Sequence, residues 1–235
     1  MRALIVTLIL ISPAIIFSQA EKDSVLLLNG KVYQGEVIGT DVVEGDSVLT
    51  IKTLSKKNET ITEQFGLYRI FSYTQNGSEN IVYTQNEFLG NYLSITETKA
   101  ATYGSYDARK TFKPAVPLWT TFGICAGVSL LDTYLTQNTL NDPNYIGSET
   151  SKGFFKDSPS MFTLLVPVAA SVVWSFPTFK LKKKNMIHTE YFNNENYYRG
   201  YHRIAKQKRM LGSLIGGFSG LALGIISYYT VQAVK

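Results

Sequence analysis

The C-terminal end of the chain carries its longest uncharged stretch. Residues 210–234 contain no Asp, Glu, Lys or Arg. A helix rises about 1.5 Å per residue, so this stretch is longer than the ~30 Å hydrocarbon layer of a bilayer and can cross it with some tilt. Two shorter uncharged stretches, 114–131 and 158–179, precede it.

These three stretches favour a membrane protein over a soluble one. Residues 158–179 are the stronger candidate of the first two because they are rich in Leu and Val, whereas residues 114–131 are rich in Thr, Gly and Ser. The alternative is three buried core helices, but each stretch is longer than an ordinary core helix. We therefore predict two or three transmembrane α-helices within residues 114–235, at 114–131, 158–179 and 210–234.

Four glycines recur at every fourth position of the last stretch. Positions four apart turn by about 400° on a helix and so form one slowly drifting stripe, along which a second helix can approach closely. A poorly ordered glycine-rich span is the alternative. The spacing predicts helix packing at Gly212, Gly216, Gly220 and Gly224. It does not distinguish a second copy, another protein or this chain's own second apolar stretch as the partner.

Positive charge is concentrated just before this helix. Residues 180–209 carry 9 Lys/Arg against 2 Asp/Glu, whereas residues 21–114 carry 10 against 12. Long cationic side chains beside a span reach headgroup phosphates, while adjacent apolar spans argue against nucleic acid as a partner. A simple positive stop signal would need no specific lipid. We predict membrane lipids as partners and headgroup contacts for Lys182, Lys183, Lys184, Arg199, Arg203, Lys206 and Arg209.

Residues 1–20 are typical of a secretory signal peptide, with Arg2, an apolar run and small residues before Glu21. An uncleaved signal anchor is the alternative. Export conflicts with the preference of Lys/Arg-rich loops for the cytoplasm. Either residues 114–131 do not fully cross the membrane, which is the favoured solution, or the basic stretch lies on the exported side against anionic headgroups.

Residues 21–86 show short strands separated by turns. Asn29-Gly30 and Asn76-Gly77 favour type I′ hairpin turns. We predict a small N-terminal β-barrel or a bent antiparallel sheet, because closure removes exposed edges. Ser94 and Glu97 have capping-box spacing, which predicts a linker helix within residues 87–113. The predicted fold class is therefore α+β, a β domain followed by a linker helix and membrane helices.

The sequence offers no catalytic constellation. His188 and His202 are the only histidines and lack metal-ligand spacing, and Cys125 is the single cysteine. No nucleophile–base pair stands out. We predict no catalytic residues, no metal and no cofactor, and a protein that is not an enzyme. Asp132, which follows the first apolar stretch, is expected at the membrane interface.

Residues 23–38, DSVLLLNGKVYQGEVI, form a strand, an Asn-Gly turn and a return strand. This segment resembles the first hairpin of small exported β-barrels, SH3-like or Sm-like, of Bacteroidota-type cell envelopes. The residues Phe17-Ser18-Gln19 are similar to signal cleavage regions of such bacteria. The resemblance covers only the N-terminal part of the chain and transfers no functional residues. It implies a binding or assembly module.

Together these features predict a membrane-anchored subunit of a bacterial cell envelope. The inner membrane is favoured, with the β domain in the periplasm binding a protein or an envelope polymer. The glycine-rich helix would drive assembly, as a homo-oligomer or with an envelope protein partner. A pore or transport component is the alternative.

Overall fold

The structure, a computed structural model, describes residues 23–55, 58–140, 161–177 and 181–233. The predicted signal peptide lies outside these residues, as do Lys180 and most of the loop between the first two apolar stretches. The described residues form two compact units, one of residues 23–26 and Val32–Tyr83, the other of Leu27–Lys31 and the described residues from Thr84 onward. The first is a sheet and the second is helical, which confirms the α+β class.

The first unit is built on a six-stranded antiparallel sheet in the order β4-β3-β2-β1-β5-β6. Its inward side chains include Val25, Val37, Leu49, Ile51 and Phe71, all buried. The strands are β1 Asp23–Leu27, β2 Val32–Val43, β3 Asp46–Leu54, β4 Thr60–Gly66, β5 Ile70–Gln75 and β6 Ser78–Ile81.

The sheet is open, so the antiparallel-sheet alternative is correct and the closed barrel is not formed. Nevertheless, it must curl. Gly66 ends β4 and Ile70 begins β5, and a connection of this length reaches at most about 14 Å. In a flat sheet four strand spacings would separate β4 from β5 by about 19 Å. The chain can make this connection only because the sheet bends, and β2 carries a bulge between Val37 and Gly39.

The two Asn-Gly turns differ from each other. Asn76 and Gly77 both have positive φ, as a type I′ turn requires, and the prediction there is confirmed. At Asn29-Gly30 only Gly30 has positive φ, so the type I′ prediction is wrong for this turn. The amide of Leu27 bonds to the carbonyl of Lys31 around a three-residue loop, in which glycine takes the left-handed position.

Four helices make up most of the second unit. Helix α1 begins with the predicted capping box: Ser94 Oγ accepts from the Glu97 amide at 3.3 Å, and Glu97 Oε2 accepts from the Ser94 amide at 2.9 Å. It ends shortly before Pro114, which fits the punctuation expected from a proline. The helices are α1 Ile95–Thr111, α2 Ala115–Leu140, α3 Met161–Val173 and α4 Glu195–Ala233.

Within the described residues, two helices are long and apolar enough to cross a membrane, Ala115–Leu135 of α2 and Glu195–Val231 of α4. Of the stretch 158–179, the described residues form the 13-residue α3, which contains Pro167, whereas the stretch at 114–131 lies in a continuous 26-residue helix. Residues 158–160, 178 and 179 lie outside the described residues, so the predicted ranking of these two stretches as spans stays a prediction.

Candidate functional site

The glycine stripe of α4 lies against α2 of the same chain. A Cβ atom placed on Gly216 would collide with the carbonyl oxygen of Leu118, and one on Gly220 with that of Phe122. Gly212 faces Pro114, and Gly224 faces Ala126 and Ser129 in the same way. The four positions are thus covered within the chain, and we propose no assembly with a second copy through this stripe.

Helices α2 and α4 run parallel. The contacts advance together along both helices, from Gly212 with Pro114 to Gly220 with Phe122 and onwards. The start of α2 and residue 210 of α4 therefore lie at the same end of the pair. Helix α3 runs the other way, because Pro167 lies against Gly217 while Pro177 accepts a hydrogen bond from Arg209. A re-entrant hairpin at residues 114–131 does not fit this continuous, parallel helix.

Helices α2, α3 and α4 bury polar side chains and expose large apolar ones, which is the reverse of the pattern in a water-soluble protein. Thr121 Oγ1 and Ser213 Oγ share a hydrogen bond of 2.9 Å, and Ser129 Oγ donates to the Leu221 carbonyl at 3.1 Å. All three hydroxyl side chains are buried, as are Thr133 and Ser171. The large apolar side chains point outward instead, including Val116, Ile124, Leu131, Leu165, Val172, Ile215, Phe218, Leu223 and Ile226.

Of the seven residues for which headgroup contacts are predicted, six are exposed and one is buried. Lys182, Lys183 and Lys184 are exposed at a short 3-10 turn, and Arg199, Arg203 and Lys206 are exposed on α4. Arg209 departs from the prediction, since it is only 7% exposed and its Nη1 donates to the Pro177 carbonyl at 2.6 Å. The packed end of α3 covers it, which sequence spacing on α4 alone did not indicate.

The cations of α4 line a pocket beside the end of α3. Its volume is about 400 Å³, and its walls come from Arg199, His202, Arg203, Lys206 and Arg209, with Ser175, Phe176 and Pro177 opposite. No carboxylate occurs among the described residues that line it. Outside the lining, Glu195 Oε1 accepts from Arg199 Nη2 at 2.6 Å in an exposed pair. Arg203 Nη2 donates to Ser105 Oγ at 3.2 Å.

The first half of α4 packs on α1 through a second close approach. A Cβ on Gly200 would collide with the Ala101 carbonyl, and one on Gly104 with the Tyr197 carbonyl. The core of this contact consists of Tyr197 and Tyr201 together with smaller or aliphatic side chains. The cations for which headgroup contacts are predicted lie mainly on the exposed face of this half of α4, and its apolar face is covered by α1.

Asp107 is the hub of this contact, although it is completely buried. Its Oδ2 accepts from the amides of Ile187 and His188 at 2.8 and 2.9 Å and from Tyr197 OH at 2.6 Å. Its Oδ1 lies 2.7 Å from His188 Nδ1. One carboxylate on α1 therefore holds the segment before α4 and α4 itself.

The neighbours of Asp107 keep these bonds in place. The His188 ring stacks on Tyr103 with 4.2 Å between centroids. Burial and the Asp107 carboxylate raise the pKa of the Tyr197 phenol, so its hydroxyl stays protonated and donates. An Asp-oriented histidine is also an arrangement that can serve proton transfer. Here the carboxylate is committed to four bonds that join chain segments, which indicates a structural role.

Sequence reasoning missed Asp107, but one signal was present. Ala100, Gly104 and Ala108 recur every fourth residue on α1 and mark a closely packed face, beside which Asp107 lies. An acidic residue beside such a stripe needs buried partners. In the described residues no group of three or more His, Cys, Asp or Glu side chains is placed to hold a metal ion.

Lys208 caps α1 from the neighbouring helix. Its Nζ donates to the carbonyls of Ala108, Arg109 and Phe112 at 3.1, 2.6 and 3.0 Å. These carbonyls lie at the end of a helix, where a positive charge is favourable.

We expect Lys208→Met to loosen the contact between α1 and α4, at a cost of about 1–2 kcal/mol. The measurement is denaturant unfolding of the detergent-solubilised chain. Lys206→Met, an exposed neighbour on the same helix, is the matched control and should change stability by less than about 0.5 kcal/mol. Equal effects from the two variants would contradict the capping role.

Comparisons with known proteins identify no relative. No protein-family model matches the chain, and neither the curated proteins nor the solved structures contain a match to it. The structure therefore provides the basis for a functional proposal.

Proposed function

We propose that the protein is a membrane-anchored subunit of a bacterial cell envelope, in which α2, α3 and the second half of α4 form the membrane domain. One observation carries this proposal, namely that the helix group buries Ser, Thr and Gly and exposes Leu, Ile, Val and Phe. In water such a surface would be an unusually large apolar patch. In lipid it costs nothing, while the buried small residues supply the close packing that holds membrane helices together.

An anchor fits better than a pore. A pore requires polar groups that face an open path. The hydroxyls of Thr121, Ser213 and Ser129 bond instead to neighbouring helices and are buried. They are therefore used to join helices.

Leu223→Lys provides a sharp test of membrane embedding. Leu223 lies near the middle of the apolar part of α4 and is 46% exposed. In a soluble protein a lysine at such a position has little effect, whereas in a span it costs about 2.5–3.5 kcal/mol of insertion free energy. We expect the natural chain to resist alkaline carbonate extraction from membranes and Leu223→Lys to lower the resistant fraction.

Gln207→Lys is the matched control, because it adds the same charge at an exposed position before the apolar part of α4. It should leave the resistant fraction unchanged. Release of the natural chain by carbonate without detergent would refute the proposal.

Because α2 and α4 run parallel, the side of the membrane on which each flanking segment lies can be predicted. If both cross, α1 and the basic stretch before α4 lie on one side, and the end of α4 on the other. In a chain with Cys125→Ser, we expect single cysteines at Thr96 and Lys184 to react with an impermeant maleimide from the same side. A cysteine at Ala233 should react only from the opposite side. Labelling of Thr96 and Lys184 from opposite sides would contradict the parallel arrangement.

The sheet is the part that we propose binds a partner, a protein or an envelope polymer, on the exported side. Strands β4 and β6 are the edges of the hydrogen-bonded sheet, and edge strands present unpaired backbone groups that accept an added strand. A photoreactive residue at Thr62 on β4, compared with one at Gln207 on α4, tests this role. Specific adducts in intact cells are expected only for Thr62, and none at either position would count against binding at this edge.

A further inference from the structure

We propose that the pocket between α3 and α4 binds the phosphate headgroup of an anionic phospholipid. The inference rests on the proposed membrane location and specifies which lipids that location brings into contact with the chain. Its residues are Arg199, Arg203, Lys206 and Arg209 of α4, opposite Phe176 and Pro177.

The charge of the pocket indicates an anion. Four cationic side chains line a volume of about 400 Å³, and the described lining contains no carboxylate to neutralise them. Arg199 shares its charge with exposed Glu195, and Arg209 is partly used by the Pro177 carbonyl. Lys206 is exposed on the pocket side of the helix. Charge-assisted bonds to several donors are the usual means of holding a phosphate.

The position of the pocket indicates a lipid. It is lined by the last three turns of α4 before the uncharged stretch begins at residue 210 and by the residues that follow α3. Phe176 of the lining is 74% exposed, and Val173 and Leu211, which lie two residues from lining residues in the sequence, are 64% and 58% exposed. A cationic pocket continuous with an exposed apolar surface matches a molecule with an anionic head and acyl chains. A soluble phosphate would need only the first half of this arrangement.

The pocket also accounts for the basic stretch lying at the same end of the helix pair as α1. If export places that end outside the cytoplasm, the positive charges need a compensating partner there, because they oppose the usual orientation rule. Anionic headgroups supply that partner.

The test compares lipids on the detergent-solubilised full chain by isothermal titration calorimetry. Short-chain phosphatidic acid is titrated against phosphatidylcholine of the same chain length, and inorganic phosphate is titrated separately. We expect phosphatidic acid to bind most tightly. Arg199→Gln/Lys206→Gln should weaken it by about tenfold or more, since each charge near a headgroup contributes on the order of 1 kcal/mol. Lys52→Gln/Arg69→Gln removes the same charge from exposed positions of the sheet, outside the pocket lining, and should leave the affinity nearly unchanged.

Three results would overturn the lipid assignment: equal binding of both lipids, equal weakening by both double variants, or inorganic phosphate binding as tightly as the lipid. The first two remove the pocket's specificity, and the third replaces a lipid with a soluble anion. Carbonate extraction separates this inference from the proposed function. A chain that resists extraction but does not prefer phosphatidic acid lacks the lipid site and keeps its membrane role. A chain that is released by carbonate but prefers phosphatidic acid has the lipid site and lacks the proposed membrane role.

Discussion

Asp107→Ala should destabilise the helical unit by about 3–5 kcal/mol, the largest effect expected from a single side chain in this structure. The substitution removes an acceptor shared by two backbone amides, the Tyr197 hydroxyl and the His188 ring. The carboxylate itself is fully buried, so its loss leaves donors without an acceptor in the interior. Denaturant unfolding in detergent measures the loss.

Two further variants make this prediction specific. Tyr197→Phe deletes only the phenol and should cost about 1.5–3 kcal/mol, the range for a hydrogen bond to a charged group. Because both changes remove the same bond, their effects should sum to more than the loss in the double variant. Glu190→Ala removes an exposed carboxylate from the segment that Asp107 holds and is the control. A stability for Asp107→Ala within about 0.5 kcal/mol of the natural chain would show that Asp107 is not a hub.

Gly220→Ala should force α2 and α4 apart. The added methyl group meets the backbone carbonyl of Phe122, which cannot move without displacing α2. Overpacking of this kind costs about 1–3 kcal/mol, and helix propensity offsets at most about 1 kcal/mol of it. Gly123→Ala on α2 is the same chemical change at a site where the added methyl group meets no atom of a neighbouring helix within 4 Å, and it should be neutral or stabilising.

A designed disulfide reports this separation directly. Thr121 and Ser213 share a hydrogen bond of 2.9 Å, so cysteines at these positions, with Cys125 replaced by Ala, should oxidise readily within one chain. Gly220→Ala should lower the yield severalfold, and Gly123→Ala should not. Equal yields in the two backgrounds, or a disulfide that forms only between two copies, would refute the intramolecular α2–α4 contact.

Local patterns in the sequence were sufficient for features that depend on neighbouring residues. The capping box at Ser94 and Glu97 and the type I′ turn at Asn76 are set within four residues, and both formed as predicted. The spacing of the glycines likewise predicted a close approach for α4. It did not identify α2 as the partner, because a bare stripe accepts any helix that presents backbone and small side chains.

Features that join distant residues were not predictable in this way. Asp107 finds its partners 80 to 90 positions later in the chain, and a lone acid in a polar helix looks like a solvated residue. Arg209 has the spacing of an exposed cation on α4. In the structure it is buried and donates a hydrogen bond to the carbonyl of Pro177, which lies just after α3. Curling of the sheet without closure depends on the short link between β4 and β5, which only the strand order reveals.

Helix α4 is a single rod. It runs for 39 residues without proline, about 58 Å, and joins the face that holds Asp107 to the face that holds α2. A rod of this kind acts as a lever. Tilting its apolar half, as a change in bilayer thickness does to a span, moves Tyr197 at the other end by the same angle. If the apolar half crosses a bilayer as proposed, that bilayer and Asp107 are connected through one continuous helix.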